Sequence, residues 1–322
     1  MLHEKIKALI KSAYIYWCDF YSDIQNTSLV IDKHSSQEML LSSLVVASHT
    51  IEKGLTMPIR HFPFGEKKAW DIARDCREYL NRGYNTSDAR FQNVLSILQE
   101  YITINTQAEV GVNNDIKQVI NELLSEVQLT KASTQHYSIK NEDYFDNNDS
   151  DFVKFSASRF SCRNLSGHVP VDLLQSALIL SMNAPSTCNR QSHRIHLIQS
   201  DKAKRIILSL QSGNRGFGDI VDQFILVTSD LRDWSGMHQR HAPYIDGGIY
   251  IMNLLYSLHY YRIGACTLNL YLNPFRTRQL HKMLNISNNE VPVALIAIGI
   301  PPQTFDLARS SRRNVDEIIQ KH

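Results

Sequence analysis

The chain has only five cysteines, at 18, 76, 162, 188 and 266, an odd number with no CxxC pair among them. This argues against a zinc site and against a disulfide framework, so a reduced, cytoplasmic protein is expected. The N-terminus shows no charged-then-apolar pattern with a small-residue cleavage site, so no secretory leader is expected. No apolar run is clean enough to cross a bilayer. The longest, Tyr244 to Cys266, is interrupted by Asp246, His259 and Arg262, which is too polar for a span. It reads instead as a helix buried inside a domain or between subunits. Internal repeats and low-complexity segments are absent. Given the polar interruptions, membrane insertion is not expected, and because basic residues nowhere interleave with aromatics, no nucleic-acid partner is expected either.

What the chain does have is length and an uneven charge distribution. Its 322 residues allow one large or two ordinary domains. The net charge is +2, but residues 151–322 hold 19 Lys+Arg against 12 Asp+Glu, leaving 15 against 20 for residues 1–150. A basic C-terminal half suits an anionic ligand such as a nucleotide phosphate, with ordinary surface variation as the alternative.

Residues 1–135 read as a helical domain. Leu2, Ile6, Leu9, Ile10, Ala13, Tyr14 and Trp17 repeat at helical spacing, most simply as a core-facing stripe. Ser36–Val46, Glu66–Arg82, Asp88–Asn105 and Asn114–Leu129 carry the same period. An acidic stretch rich in turn formers follows, read as a linker over 136–153. From 154 the texture becomes mixed. Val171–Ser181 and Gly248–Tyr261 look helical, whereas Arg194–Gln199, Phe224–Thr228 and Val291–Ile298 look like strands. The fold class is therefore α+β for the C-terminal half, preceded by a mostly α-helical domain.

Three clusters carry chemistry. Arg159-Phe-Ser-Cys-Arg163 offers two guanidiniums and the Ser161 hydroxyl within five residues, a grip for phosphate or simply a solvated surface cluster. Pro185-Ser186-Thr-Cys-Asn189-Arg-Gln191 reads as a loop after a helix, whose amides could meet the polar edge of a heteroaromatic ring. Arg309-Ser-Ser-Arg312-Arg313 adds charge near the C-terminus, as a phosphate contact or a plain tail.

In this order and around this strand–helix pattern, residues 154–322 resemble the nitroreductase family. The likeness rests on Arg159, Ser161 and Arg163, on Pro185, Ser186, Asn189 and Gln191, and on a long central helix leading to Ala265–Asn269. It continues through a buried strand ending at Gly299 and Pro301, and ends on Arg312 before Asn314-Val-Asp-Glu-Ile-Ile319. The resemblance implies a nitroreductase-like central sheet flanked by helices, and FMN at a homodimer interface. It implies phosphate contacts from Arg159, Ser161, Arg163 and Arg312. The Pro185–Gln191 segment, above all Asn189, would meet the isoalloxazine, and Thr267–Leu268 would approach its reactive side. NAD(P)H as electron donor and a small organic acceptor are implied as well. Alternatives are a non-redox flavin- or nucleotide-binding module in an assembly, and a flavin-dependent dehydrogenase or oxidase that does not use NAD(P)H. No metal site and no catalytic protein side chain is expected, since the cofactor carries the chemistry.

Two departures bear on substrate and nicotinamide use. Gln191 is followed by Ser192-His193 where the family often has Pro-Trp, and Ser310 stands where a basic residue is usual. In the N-terminal half, His49-Thr-Ile-Glu-Lys-Gly-Leu-Thr-Met-Pro58 is either a functional segment, such as a wall or lid over the flavin, or surface charge beside a helix stop at Gly54. It resembles a segment of nitroreductase-like proteins from surface-polysaccharide gene clusters.

Overall fold

The computed structural model describes residues 2–26, 34, 36–108, 111–129, 135–234 and 239–322. These form two compact units, Met1–Tyr137 with Ala308–His322, and Ser138–Leu307.

The first unit is helical. Its elements are α1 (Leu2–Asn26), α2 (Gln37–Leu55), α3 (Glu66–Asn81), α4 (Ala89–Gln107) and α5 (Asn114–Glu126). Three starts are written in side chains. Ser36, Asp88 and Asn113 each accept a backbone N–H of the following first turn, satisfying a donor the helix cannot. Helices α2 to α5 bury one shared core that includes Leu41, Leu44, Ile51, Cys76, Tyr79, Phe91, Leu95, Tyr101 and Leu123. Each such side chain contributes roughly 1.5–3 kcal/mol when fully buried.

Helix α1 forms as its period predicts, but its stripe is not core. Ile6, Leu9, Ile10, Tyr14 and Trp17 are all exposed, Leu9 at 71%. Periodicity reports that a helix has an apolar face; it cannot report whether the chain supplies a cover. Leu2 belongs to α1, but its side chain lies outside the described residues.

The second unit is α+β. In order it contains β1 (His136–Lys140, from Ser138 on), α6 (Asn141–Tyr144), α7 (Phe152–Ser158), α8 (Val171–Ser181), β2 (His193–Ile198) and α9 (Asp201–Leu210). Then come β3 (Gln223–Asp230), α10 (Ala242–Tyr260), β4 (Gly264–Asn269), α11 (Pro274–Leu284), β5 (Glu290–Gly299) and β6 (Thr304–Ala308, as far as Leu307). The main sheet has the order β2-β3-β5-β4, and β1 pairs with β6. All three pairings in the main sheet are antiparallel. Where the sequence suggests a linker over 136–153, the chain instead forms β1, α6 and the start of α7, and buries Tyr144 and Phe145. The segment is rich in turn formers, yet Tyr144 and Phe145 are buried and Asn148 donates to the His259 and Tyr260 carbonyls.

Helix α10 packs one face on the sheet through Tyr250, Leu254 and Leu258. The other face leaves Ile245 60%, Ile249 42% and Met252 37% exposed. It is therefore not buried on nearly all sides within one chain.

Candidate functional site

The first arginine motif leaves α7 and runs beside the start of β4. Cys162 N–H donates to Ala265 O at 3.0 Å, and Gly167 exchanges two hydrogen bonds with Ile300. Two glycines make room for this strand-like passage. A Cβ on Gly299 would lie 2.2 Å from the Leu165 carbonyl oxygen, and one on Gly264 would lie 2.8 Å from both the Leu165 side chain and Pro301. Gly299→Ala is therefore expected to destabilise the second unit by about 1–3 kcal/mol, as overpacking against rigid backbone does. A thermal melt would read this as a lowered midpoint with the first unit's helices intact.

Along this passage Ser161 is exposed, Arg159 half-buried and Arg163 buried. Arg163 is only 5% exposed, and its Nε and Nη1 have no hydrogen-bond partner among the described residues. A guanidinium kept from water without acceptors is costly, by several kcal/mol per isolated ion. The donor set and its burial fit a multiply charged oxyanion such as a phosphate, which accepts two parallel N–H bonds from one guanidinium. Within this motif Cys162 is buried, and burial pushes its thiol well above the ordinary range, so it is not a ready nucleophile.

Helix α7 is fastened to the C-terminal end of α10. Ser158 Oγ and His259 Nε2 lie 2.9 Å apart, Phe155 packs on His259, and Asn148 donates to His259 O and Tyr260 O. Burial, with the Arg159 charge adding to it, lowers the His259 pKa to about 4. The imidazole is thus neutral near pH 7.

The second motif is held at the opposite end of α10. Thr187 donates its N–H and its hydroxyl to the two carboxylate oxygens of Asp246, each at 2.8 Å. Ser186 Oγ accepts Gln191 N–H at 3.0 Å, and Gln191 Nε2 donates to Asn189 Oδ1 at 3.0 Å. That last bond fixes which way the Asn189 amide faces and leaves its Nδ2 as a donor. Within this loop Cys188, Asn189 and Gln191 all have positive φ, of 52°, 55° and 51°. Left-handed non-glycine backbone costs on the order of 1 kcal/mol or more per residue, and such clusters collect where a loop must present groups in a set geometry. Pro185, Asn189 and Gln191 are exposed, and Ser186 is partly covered.

Asp246 and His259 are thirteen residues apart on one helix, which is about 20 Å along its axis. A single chain thus sets its arginine motif and its amide loop at opposite ends of α10. Between them on β4, Thr267 is exposed and Leu268 is 6% exposed. Past the end of β4 a cavity of about 640 Å³ opens, lined by Tyr244, Asn269, Leu270, Arg278, His281 and Val293 among others. His281 is 6% exposed, and its Nε2 has no partner among the described residues.

Arg312 lies in the first unit, in an exposed stretch, with its guanidinium on the carbonyl of Ser310.

No family model and no curated protein matches the chain. Solved structures do resemble it over about half its length. A nitroreductase family protein from Clostridium difficile is 19% identical over 53% of this chain and 97% of its own, with a TM-score of 0.44. A protein described as a candidate nitroreductase, solved with FMN, from Desulfovibrio desulfuricans is 23% identical over 53% of this chain and 95% of its own, at 0.46. A nitroreductase family protein from Clostridium novyi is 19% identical over 52% and 90%, at 0.42.

Three residues outside the motifs prove structurally important. Asp246 positions the amide loop, His259 fastens α7, and Glu52 accepts the backbone N–H of Ser310 at 2.8 Å. The first two had a signal, since they are polar residues inside the longest apolar run. Glu52 had one in its marked segment, but its partner is 258 residues away. Elsewhere His34, Asp75 and Glu78 form the one metal-like cluster among the described residues, but Arg82 pairs with Glu78 at 2.6 Å and Arg74 with Asp75 at 3.4 Å. No helix among the described residues is long and apolar enough to cross a membrane.

Proposed function

We propose that the chain is an FMN-dependent oxidoreductase, passing hydride from NAD(P)H through the flavin to a small organic acceptor. The observation that carries this reading is Arg163, a buried arginine with two donor atoms left without a partner among the described residues. A phosphate at that point removes the penalty of the buried charge, and Arg159 and Ser161 on the same passage complete the grip on it. Bound FMN supplies hydride acceptance and donation, so the protein's task is to bind, orient and exclude water.

Asn189 Nδ2 donates to the polar edge of the isoalloxazine, and Pro185, Ser186 and Gln191 keep that loop in its left-handed turn. Thr267 and Leu268 support the reactive side of the ring. The exposed apolar face of α10 and the separation of the two motifs along it support a homodimer in which each flavin takes contacts from both chains. The cavity beyond β4, with Arg278 at its wall, is the place for the acceptor. The five free cysteines fit a reducing cytoplasm.

Asp246→Ala separates the ring end of the site from the phosphate end. It removes both acceptors of Thr187, so the strained loop relaxes. FMN and riboflavin binding should weaken together, by roughly tenfold or more, since a buried charged acceptor is worth about 1.5–3 kcal/mol. Fluorescence-quenching titrations with both ligands check this. The function itself is tested by purifying the full chain and recording its spectrum, then NAD(P)H oxidation with quinone, nitroaromatic and enone acceptors. Flavin absorption with acceptor-dependent turnover is expected. Protein that stays colourless after incubation with FMN would overturn the reading, and bound flavin without turnover would leave a non-redox flavin module.

A further inference from the structure

The cavity beyond β4 is charged on one side only. Its wall includes Tyr244, Leu270, Tyr271, Arg278, His281 and Val293, and no Asp or Glu among the described residues lines it. The same bias runs through the chain around it, which carries Arg262, Arg276, Arg278 and Lys282 but no acidic residue between Asp246 and Glu290. Glu290 is engaged by His196 and by the Thr228 hydroxyl. Arg278 is exposed, and among the described residues no ion pair or side-chain hydrogen bond engages it. His281 is 6% exposed, and its Nε2 has no partner among the described residues. The rim is aromatic, with Tyr271 85% and Tyr244 50% exposed. Tyr244 stands just before Asp246, the anchor of the amide loop. A Cβ on Gly247 would lie 2.9 Å from the Val293 side chain. The cavity therefore lies at the amide-loop end of α10, wholly within the second unit.

At about 640 Å³ the cavity has the size of a small-molecule site. Its apolar wall and two tyrosine rings suit a flat organic body. Its polar groups select the charge of that body. A neutral or cationic occupant leaves the guanidinium unpaired, whereas a carboxylate meets the planar fork with two parallel bonds. One guanidinium matches one singly charged group. We propose that this cavity takes a small, flat organic acid, with Arg278 pairing its carboxylate, His281 adding a hydrogen bond from the buried wall, and Tyr244 and Tyr271 flanking its ring. That this acid accepts hydride rests on the reading that FMN binds in the second unit. The acid site itself does not depend on that reading.

The test titrates the purified full chain by calorimetry with para-nitrobenzoate and para-nitrobenzyl alcohol, before and after incubation with FMN. The two probes share the ring and the nitro group and differ in the carboxylate. Wild type should bind the acid about fivefold more tightly than the alcohol, the upper end for an ion pair that stays open to water. Arg278→Gln should bring that preference to near parity. Arg278→Lys should keep part of it, because lysine retains the charge without the fork. Arg276→Gln controls for net charge. Arg276 is on the same helix but outside the cavity wall, with its guanidinium on the Leu210 carbonyl, so its loss should leave the preference intact. In turnover with NAD(P)H, the KM for the acid should rise about fivefold in Arg278→Gln. Equal binding of the two probes by wild type would overturn the proposal. So would a preference that survives Arg278→Gln or falls as far in Arg276→Gln. A chain that binds no flavin yet prefers the acid through Arg278 would refute the flavin reading and support the acid site. A chain that turns over with FMN but handles acid and alcohol alike would do the reverse.

Discussion

Arg163→Met should weaken FMN binding while making the flavin-free protein more stable. The two effects have one cause. Arg163 is 5% exposed, and its Nε and Nη1 lack hydrogen-bond partners among the described residues, so in the free protein the charge is buried and poorly compensated by those residues. A methionine fills a similar volume without the charge, and such replacements of poorly compensated buried ions stabilise by about 1–4 kcal/mol. For a unit of this size that is roughly 2–4 °C of melting midpoint per kcal/mol. The ligand effect has the opposite sign. Loss of a charge-assisted bidentate contact costs about 1.5–3 kcal/mol, or on the order of 10- to 150-fold in affinity. Riboflavin, which lacks the phosphate, should bind both proteins equally. Melting curves with and without FMN give all these quantities. A variant that melts lower without ligand would mean that Arg163 is satisfied in the free protein and that its burial is structural.

The second large effect is in pH. His259 titrates at about 4 in the folded protein because burial disfavours its charged form, with Arg159 adding to this. In the unfolded chain it returns to near 6.5. Between these values the unfolded state binds a proton that the folded state refuses, so stability rises with pH there. The contribution is therefore complete above about pH 6.5 and is lost progressively as pH falls toward 4. The full difference corresponds to on the order of 3 kcal/mol at 1.36 kcal/mol per unit. Because His259 meets Ser158 and packs on Phe155, its protonation is expected to loosen the segment that leads into the arginine motif. The expected result is a second-unit melting midpoint that drops as pH goes from 6.5 to 4.5, and a His259→Phe variant whose midpoint is flatter over that window. Parallel pH profiles for both proteins would place the sensitivity elsewhere.

Much of the second unit was legible because its signals are local. Strands β2, β3 and β5 alternate or run apolar over the segments that form them, and α8 begins after Pro170 as its proline suggests. Gly264 and Gly299 had only the appearance of strand ends, yet each makes space for the chain that carries the arginine motif. The amide loop was legible as a loop. Its three left-handed residues were not, because nothing in Cys188, Asn189 or Gln191 announces positive φ apart from the tolerance of Asn. The long-range facts were the least visible. That Asp246 faces Thr187, or Glu52 faces Ser310, depends on tertiary packing that no short window contains. Helix α1 shows the converse limit, since its apolar stripe was plain and its exposure was not. The polar residues Asp246, His259 and Arg262 interrupt the apolar run Tyr244 to Cys266. Two of them hold the site's segments at either end of the helix, and Arg262, with φ 60°, makes the turn into β4.

The central claim is that the second unit holds a phosphate-bearing flavin through Arg163. The most direct measurement is a pair of titrations of the purified, flavin-stripped full chain with FMN and with riboflavin, each repeated on Arg163→Met. The account predicts that wild type prefers FMN by at least tenfold and that the preference disappears in the variant. Equal binding of the two ligands by wild type, or a preference that survives the substitution, would contradict it.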